Sequence, residues 1–385
     1  MKKILVCTLI LMMTVNTVRG QEIQSNSSIQ YMKQKAPVPN VQALCAIAMD
    51  LDSGKILYEK NGNQRNAPAS TTKMMTAIVV VENTQPGDIV TVSKKAANIS
   101  GSAMGLYAGQ KITVNELLYG MLMCSGNDAA IALAEHIGGD IAGFADLMNK
   151  KADQMGLKDT RFANPHGLDA EGHHSTAFEL AKIGAYALNN EIIKDIVGTK
   201  FINMSGRNMT NTNELLGFYD GVYGLKTGFT NKAGRCLVTS AKRGEVDVVT
   251  VVLNCPTKKA RTSSSIKILD YVFENYEYYP LVSEGERFAE INVKKGIEPE
   301  VGIVASEDIR MLLANHSVAD LKYNAIFPNI IKAPVEEGTK VGNLQITENG
   351  LVLLDIPLVT SEDVGIKNVQ YYLKQIGITL KDMTG

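Results

Sequence analysis

Ser70 and Lys73, in Pro68-Ala-Ser-Thr-Thr-Lys-Met-Met-Thr76, stand three residues apart and on a helix would share one face about one turn apart. A serine hydroxyl is a weak nucleophile until a neighbouring base takes its proton, and a lysine is such a base only when neutral. Burial and a nearby cation both disfavour the ammonium form. The run Met74 to Val81 is apolar all round and promises burial, and Lys226 can supply the second charge. Ser125 and Asn127, on either side of Gly126, can relay protons and hold a substrate amide. Lys226-Thr-Gly228 lies in a strand-like run, where Gly228 has no side chain to block an extended peptide adding along the strand edge.

Taken singly these motifs are weak, since about one Ser-x-x-Lys match is expected by chance in a chain of this length. Ser264 and Lys267 indeed make a second match, but no companion motif follows it, so it reads as an ordinary exposed pair on a helix. Order carries the inference: Ser-x-x-Lys, then Ser-x-Asn, then Lys-Thr-Gly, the signature of active-site serine acyl transfer.

The elements that must hold these groups are legible in outline. Ala43 to Asp50 and Lys55 to Glu59 read as a hairpin around Leu51-Asp-Ser-Gly54. Pro68 fits the start of a buried helix whose first turn carries Ser70 and Lys73. Thr113 with Glu116 caps a helix running to Cys124, Ser125-Gly126 interrupts it, and Asp128 restarts a second helix ending at Gly138-Gly139. Helical periods recur over Asp140 to Met155 and, behind Thr176 and Glu179, over Ala177 to Leu188. Strands are expected at Val222 to Thr227, Arg235 to Ala241 and Val246 to Leu253, then a closing helix from about Ser263 to Asn275. Two early strands, a helical insertion, three late strands and a closing helix describe an α/β domain, an antiparallel sheet with helices packed on it. Beyond about Tyr279 short strands punctuated by Gly and Pro, such as Arg287 to Val293 and Leu351 to Ile356, predict a small all-β domain beginning near Pro280.

With 385 residues, 45% hydrophobic and 21% charged, the chain can fill two or three domains. A net charge of −1 gives no electrostatic reason to expect nucleic acid. Lys2 and Lys3, the apolar run Ile4 to Met13 and a polar stretch ending near Arg19-Gly20 have the layout of a secretory signal peptide over residues 1–20. Cys7 lies inside that apolar run, not at a lipidation position. Cys45, Cys124, Cys236 and Cys255 sit in apolar segments without disulfide-scaffold spacing and read as small buried hydrophobes.

The chain resembles the serine-type D-alanyl-D-alanine carboxypeptidases among the low-molecular-mass penicillin-binding proteins. Besides the three motifs, the resemblance rests on Ser125-Gly-Asn-Asp-Ala129, Asn164-Pro-His-Gly-Leu-Asp169, His174-Ser-Thr176 and Lys226-Thr-Gly-Phe-Thr230. It implies a penicillin-binding/β-lactamase-like domain over 21–279, a β-rich domain over 280–365 and a tail over 366–385. It further implies that Ser70 attacks the carbonyl of the penultimate D-alanine of a peptidoglycan stem peptide, that water hydrolyses the acyl-enzyme, and that β-lactam antibiotics enter by the same route. The oxyanion would be held by the backbone N–H groups of Ser70 and Phe229, Phe229 standing where the family often has His. Arg261, just before the closing helix, matches the arginine that reads the substrate carboxylate, with Thr227 as a second donor. The implied setting is outside the cytoplasm, at the outer membrane face or in the wall, in peptidoglycan maturation for cell shape or spore wall.

No cofactor is expected. His166, Asp169, His173 and His174 cluster in sequence, but their spacing fits no helical zinc motif and the segment reads as a structural turn. A class A β-lactamase would need a deacylating glutamate loop that has no counterpart here, and it lacks an additional β domain. A non-catalytic wall-binding scaffold predicts damaged motifs, whereas all three are intact. Val369, Tyr372, Leu373 and Ile376 recur at helical spacing with Lys367, Lys374 and Lys381 around them, which suits either peripheral membrane contact or packing on the β domain.

Overall fold

β-branched and aliphatic runs bounded by turns build the main sheet: β1 (Cys45–Asp50), β2 (Ile56–Lys60), β3 (Val222–Thr230), β4 (Gly234–Arg243) and β5 (Val246–Cys255). The computed structural model describes residues 18–23, 37–315 and 321–384. The five strands pair in the order β2-β1-β5-β4-β3, all antiparallel, so β3 lies at an edge. Helices α1 (Lys73–Asn83), α2 (Val114–Met123), α3 (Asn127–Gly138), α4 (Ile141–Gln154), α5 (Ala177–Leu188) and α6 (Glu191–Gly198) come between β2 and β3, and α7 (Lys258–Asn275) follows β5. Their apolar faces meet the sheet in one core that includes Ile47, Met75, Ile78, Leu118, Leu122, Ile131, Leu133, Ile183, Val238 and Val251. Burying this much apolar surface is the dominant stabilising term.

Local signals set several boundaries as expected. Thr113 accepts from the Glu116 amide and the Glu116 carboxylate returns to Thr113, closing the capping box of α2. Thr176 likewise caps α5, but the Glu179 carboxylate instead takes the amides of Lys158 and Asp159 and the hydroxyl of Thr160. Two boundaries differ. Ala69–Thr72 forms a 3-10 turn and the α-helix starts only at Lys73, because Ala69 is held at φ +49°, outside the helical region. The closing helix starts at Lys258, five residues before the expected start, since Thr257 caps it through the Ala260 amide; Arg261 is therefore in its first turn, not before it.

The chain parts into two compact units between Glu277 and Tyr278. The second contains a seven-stranded sheet and a two-stranded one. Alternation places Ile291, Val293, Val301, Ile303, Leu344, Ile346, Ile356 and Leu358 in its own core. Val18–Ile23 pairs antiparallel with Leu321–Pro328 in this sheet, so residues 21–23 belong here by their backbone pairing and not to the first unit. The rest of the expected leader, residues 1–17, lies outside the described residues. A final helix, Val369–Thr384, leaves Val369, Tyr372, Leu373 and Ile376 exposed rather than packed, and no helix among the described residues is long and apolar enough to cross a membrane.

Candidate active site

The 3-10 turn lifts Ser70 to a half-buried position while Lys73, one turn on, is completely buried. Lys73 Nζ lies 2.9 Å from Ser70 Oγ, 2.8 Å from Asn127 Oδ1 and 2.6 Å from the His166 carbonyl. Burial first, and the Lys226 charge second, hold its pKa well below the ordinary lysine value against an opposing pull from Asp128. Lys226 is 1% exposed, and burial together with the Arg261 charge brings its own pKa down to about 7.

Asn127 opens α3 directly after the link in which Ser125 is buried at φ +61°. The Asn127 side chain is fixed at both ends, since Nδ2 donates to the Ser100 carbonyl at 2.8 Å while Oδ1 receives Lys73. Asp128, adjacent, accepts the backbone N–H groups of Met104, Gly105 and Leu106 and so ties down the loop beside the site. Neither the loop nor the role of Asp128 was signalled by periodicity.

Two glycines allow the closest approaches. Gly167, at φ +88°, lies where a Cβ would stand 1.9 Å from the Ala69 carbonyl oxygen. Asn164 closes this turn, accepting from the Gly167 amide at 2.7 Å and donating to the Leu168 carbonyl at 2.9 Å, while Thr76 Oγ1 donates to the Pro165 carbonyl. The turn thereby presents the His166 carbonyl to Lys73. Gly228 faces the serine turn itself: a Cβ there would lie 3.0 Å from the Ser70 amide nitrogen and 3.0 Å from Ala69 Cβ. The close approach that Gly228 permits includes one to the element carrying Ser70.

The four clustered residues behave as parts of this scaffold. His173 accepts from the Ala163 amide at Nδ1 and lies 2.8 Å from Thr72 Oγ1 through Nε2, and its burial draws its pKa down to about 4. His166 accepts from the Leu168 amide, and burial and the Lys73 charge lower it to about 3. Asp169 accepts from Thr230 at the end of β3, and His174 turns to the Gly172 carbonyl.

On the far side of Lys226, Thr227 Oγ1 and Thr212 Oγ1 are 2.7 Å apart. Arg261, 4% exposed, approaches this strand from α7 and pairs through Nη2 with Glu214 Oε2 at 2.7 Å. Burial raises the Glu214 carboxyl, but Thr262 and Arg261 outweigh it and hold it below the usual range. Asn211 and Asn213 pin the segment carrying Thr212 and Glu214, the first to the Val197 and Thr199 carbonyls, the second to the Gly224 carbonyl. Thr212 and Glu214 escaped the sequence reading because they lie in an aperiodic segment far from Arg261 along the chain. Phe229 is exposed and carries the Arg235 guanidinium 3.6 Å from its ring centroid. Cys45, Cys236 and Cys255 are buried free thiols and Cys124 is half-buried.

Comparison with known proteins bears on this arrangement. The family profile described as D-alanyl-D-alanine carboxypeptidase matches residues 31–257, and that described as penicillin-binding protein 5, C-terminal domain, matches residues 276–365. The D-alanyl-D-alanine carboxypeptidase DacF of Bacillus subtilis is 37% identical over 354 residues, covering 89% of this chain and 90% of its own. The crystal structure of penicillin-binding protein 5 from Haemophilus influenzae superposes with a TM-score of 0.69 at 33% identity, covering 86% of this chain and 99% of its own. A mutant DD-transpeptidase of Streptomyces is similar over 61% of this chain and 99% of its own, with a TM-score of 0.59 at 34% identity.

Proposed function

Because the chain belongs to the D-alanyl-D-alanine carboxypeptidase family, we propose that it removes the terminal D-alanine from peptidoglycan stem peptides through an acyl-enzyme on Ser70. The observation that carries this reading is the surroundings of Lys73 Nζ. A neutral amine has two N–H donors and one lone pair; the two carbonyl oxygens of Asn127 and His166 take the donors, and the lone pair is left for the Ser70 hydroxyl at 2.9 Å. Lys73 is therefore the general base. Lys73 takes the proton of Ser70 Oγ as that oxygen bonds to the carbonyl carbon of the penultimate D-alanine. The departing D-alanine nitrogen is protonated in turn, and water then attacks the ester and regenerates Ser70. Ser125 relays the proton from Lys73 to the leaving group, and Asn127 holds the substrate amide.

The oxyanion forms against the backbone N–H groups of Ser70 and Phe229, a pairing supported by Gly228, where a Cβ would stand 3.0 Å from the Ser70 nitrogen. The extended substrate lies along the outer edge of β3, which pairs only with β4 among the described strands. Its terminal carboxylate is read by Arg261 with Lys226 and Thr227, a planar guanidinium being suited to a carboxylate. β-Lactams acylate Ser70 by the same attack. The reading places the protein outside the cytoplasm, in peptidoglycan maturation serving cell shape or spore wall. The exposed stripe Val369, Tyr372, Leu373 and Ile376 on the last helix supports peripheral contact with a lipid surface.

Mass spectrometry of protein treated with benzylpenicillin tests the proposal: the antibiotic's mass should appear on the peptide containing Ser70 and disappear in Ser70→Ala. Labelling that persists in that variant would remove Ser70 from the role of nucleophile.

A further inference from the structure

Arg261 occupies a costly position. It is 4% exposed, lies in the first turn of α7 beside Lys258 and Lys259, and faces Lys226, whose pKa it depresses. The positive end of a helix dipole and three neighbouring lysines all disfavour a guanidinium there. One carboxylate answers this arrangement. Glu214 accepts from Arg261 Nη2 at 2.7 Å, lies 3.3 Å from Lys258 Nζ, and accepts the hydroxyl of Thr262. Its own backbone is held by the pinned Asn211–Asn213 stretch. Nη2 is the guanidinium nitrogen that Glu214 holds. Arg261 Nε, by contrast, is buried without a hydrogen-bond partner among the described residues.

A buried N–H of a charged group left unpaired is costly, so the pair with Glu214 is what holds this guanidinium in place. We propose that Glu214 is a positioning residue for carboxylate recognition: by holding Nη2 at 2.7 Å and offsetting the surrounding positive charge, it fixes the Arg261 guanidinium in one orientation toward Lys226, where the terminal carboxylate of the substrate is read. Glu214 touches no substrate atom; it acts through Arg261. The inference rests on the reading of Arg261 given above and adds the group that orients it. Thr212, carried on the same short segment, meets Thr227.

The test compares one peptide ending in D-Ala-D-Ala with its C-terminally amidated form, on the full chain and on the variants Glu214→Ala, Glu214→Gln and Arg261→Ala. In Glu214→Ala the KM for the free acid should rise roughly tenfold, the loss of a charge-assisted contact, with kcat and the amidated substrate little changed. Glu214→Gln retains an oxygen for Nη2 and an amide for Thr262, so it should restore the acid preference to within about threefold of wild type. Hydrolysis of the amidated peptide reports that each variant is folded. Equal losses on both substrates in Glu214→Ala, an unchanged acid preference, or a Gln variant as impaired as the Ala variant would overturn the proposal. Failure of the underlying reading looks different: Arg261→Ala would then keep the acid preference, whereas an Arg261→Ala that loses it beside a Glu214→Ala that does not would overturn the Glu214 role alone.

Discussion

Gly228 on β3 faces Ser70 on the 3-10 turn, close enough that a Cβ at 228 would stand 3.0 Å from the Ser70 amide nitrogen and 3.2 Å from the Pro68 carbonyl oxygen. The nucleophile's amide and this strand edge are therefore closely packed, and a single methyl group between them requires a neighbour to give by a few tenths of an ångström.

Gly228→Ala should accordingly slow acylation more than it unfolds the protein. Displacing one of two oxyanion donors costs up to about 10²-fold to 10³-fold in kcat, while overpacking costs about 1–3 kcal/mol of stability. Acylation rates with a chromogenic β-lactam, set beside a denaturant melt, check this. A variant that acylates like wild type would show that the Ser70 amide is not held where the reaction needs it.

Lys73→Ala should abolish acylation by about 10²-fold to 10⁴-fold, the worth of a positioned base. The fold should survive, because alanine is a good helix former at the start of α1. Stopped-flow acylation of this variant within tenfold of wild type would assign the base elsewhere.

The two buried lysines set opposite limbs of the pH profile. Lys73 must be neutral to act, so kcat/KM rises with pH through its depressed pKa. Lys226 carries charge only below its pKa of about 7 and helps hold the carboxylate, so the rate falls again as pH rises through that value. Arg261→Ala removes a cation that depresses Lys226, and the basic limb should move to higher pH. An unmoved basic limb in that variant would detach it from Lys226.

Acid should destabilise the fold through its neutral histidines. His173 has a folded pKa of about 4, below its ordinary value, so the unfolded chain binds a proton that the folded one refuses. Its contribution is fully present above pH 6.5 and is lost as pH falls toward 4, at up to about 1.4 kcal/mol per pH unit. His166, depressed to about 3, acts in the same sense. Urea midpoints measured between pH 7 and 4 should fall less steeply in His173→Gln than in wild type. Parallel slopes would mean that His173 is protonated in the folded protein.

Sequence alone determined much of this protein, because its strongest signals are local. Chain order and spacing singled out Ser70, Lys73, Ser125, Asn127 and Lys226 as candidates, and the alternation and periodicity of apolar residues placed most strands and helices, from Cys45–Asp50 to Val246–Cys255. Capping pairs such as Thr113 with Glu116 marked a helix start without reference to anything distant. The residues that only the tertiary structure decided act across long separations in sequence. The His166 carbonyl reaches Lys73 over 93 residues, and Glu214 reaches Arg261 over 47. No periodicity encodes a backbone carbonyl as a ligand, and no composition announces which carboxylate will neutralise a buried arginine. Even the start of α1 belonged to the tertiary structure: Ala69 is turned out of the helical region where its turn meets Gly167 and Gly228, and that packing, absent from any local window, is what places the Ser70 hydroxyl against Lys73.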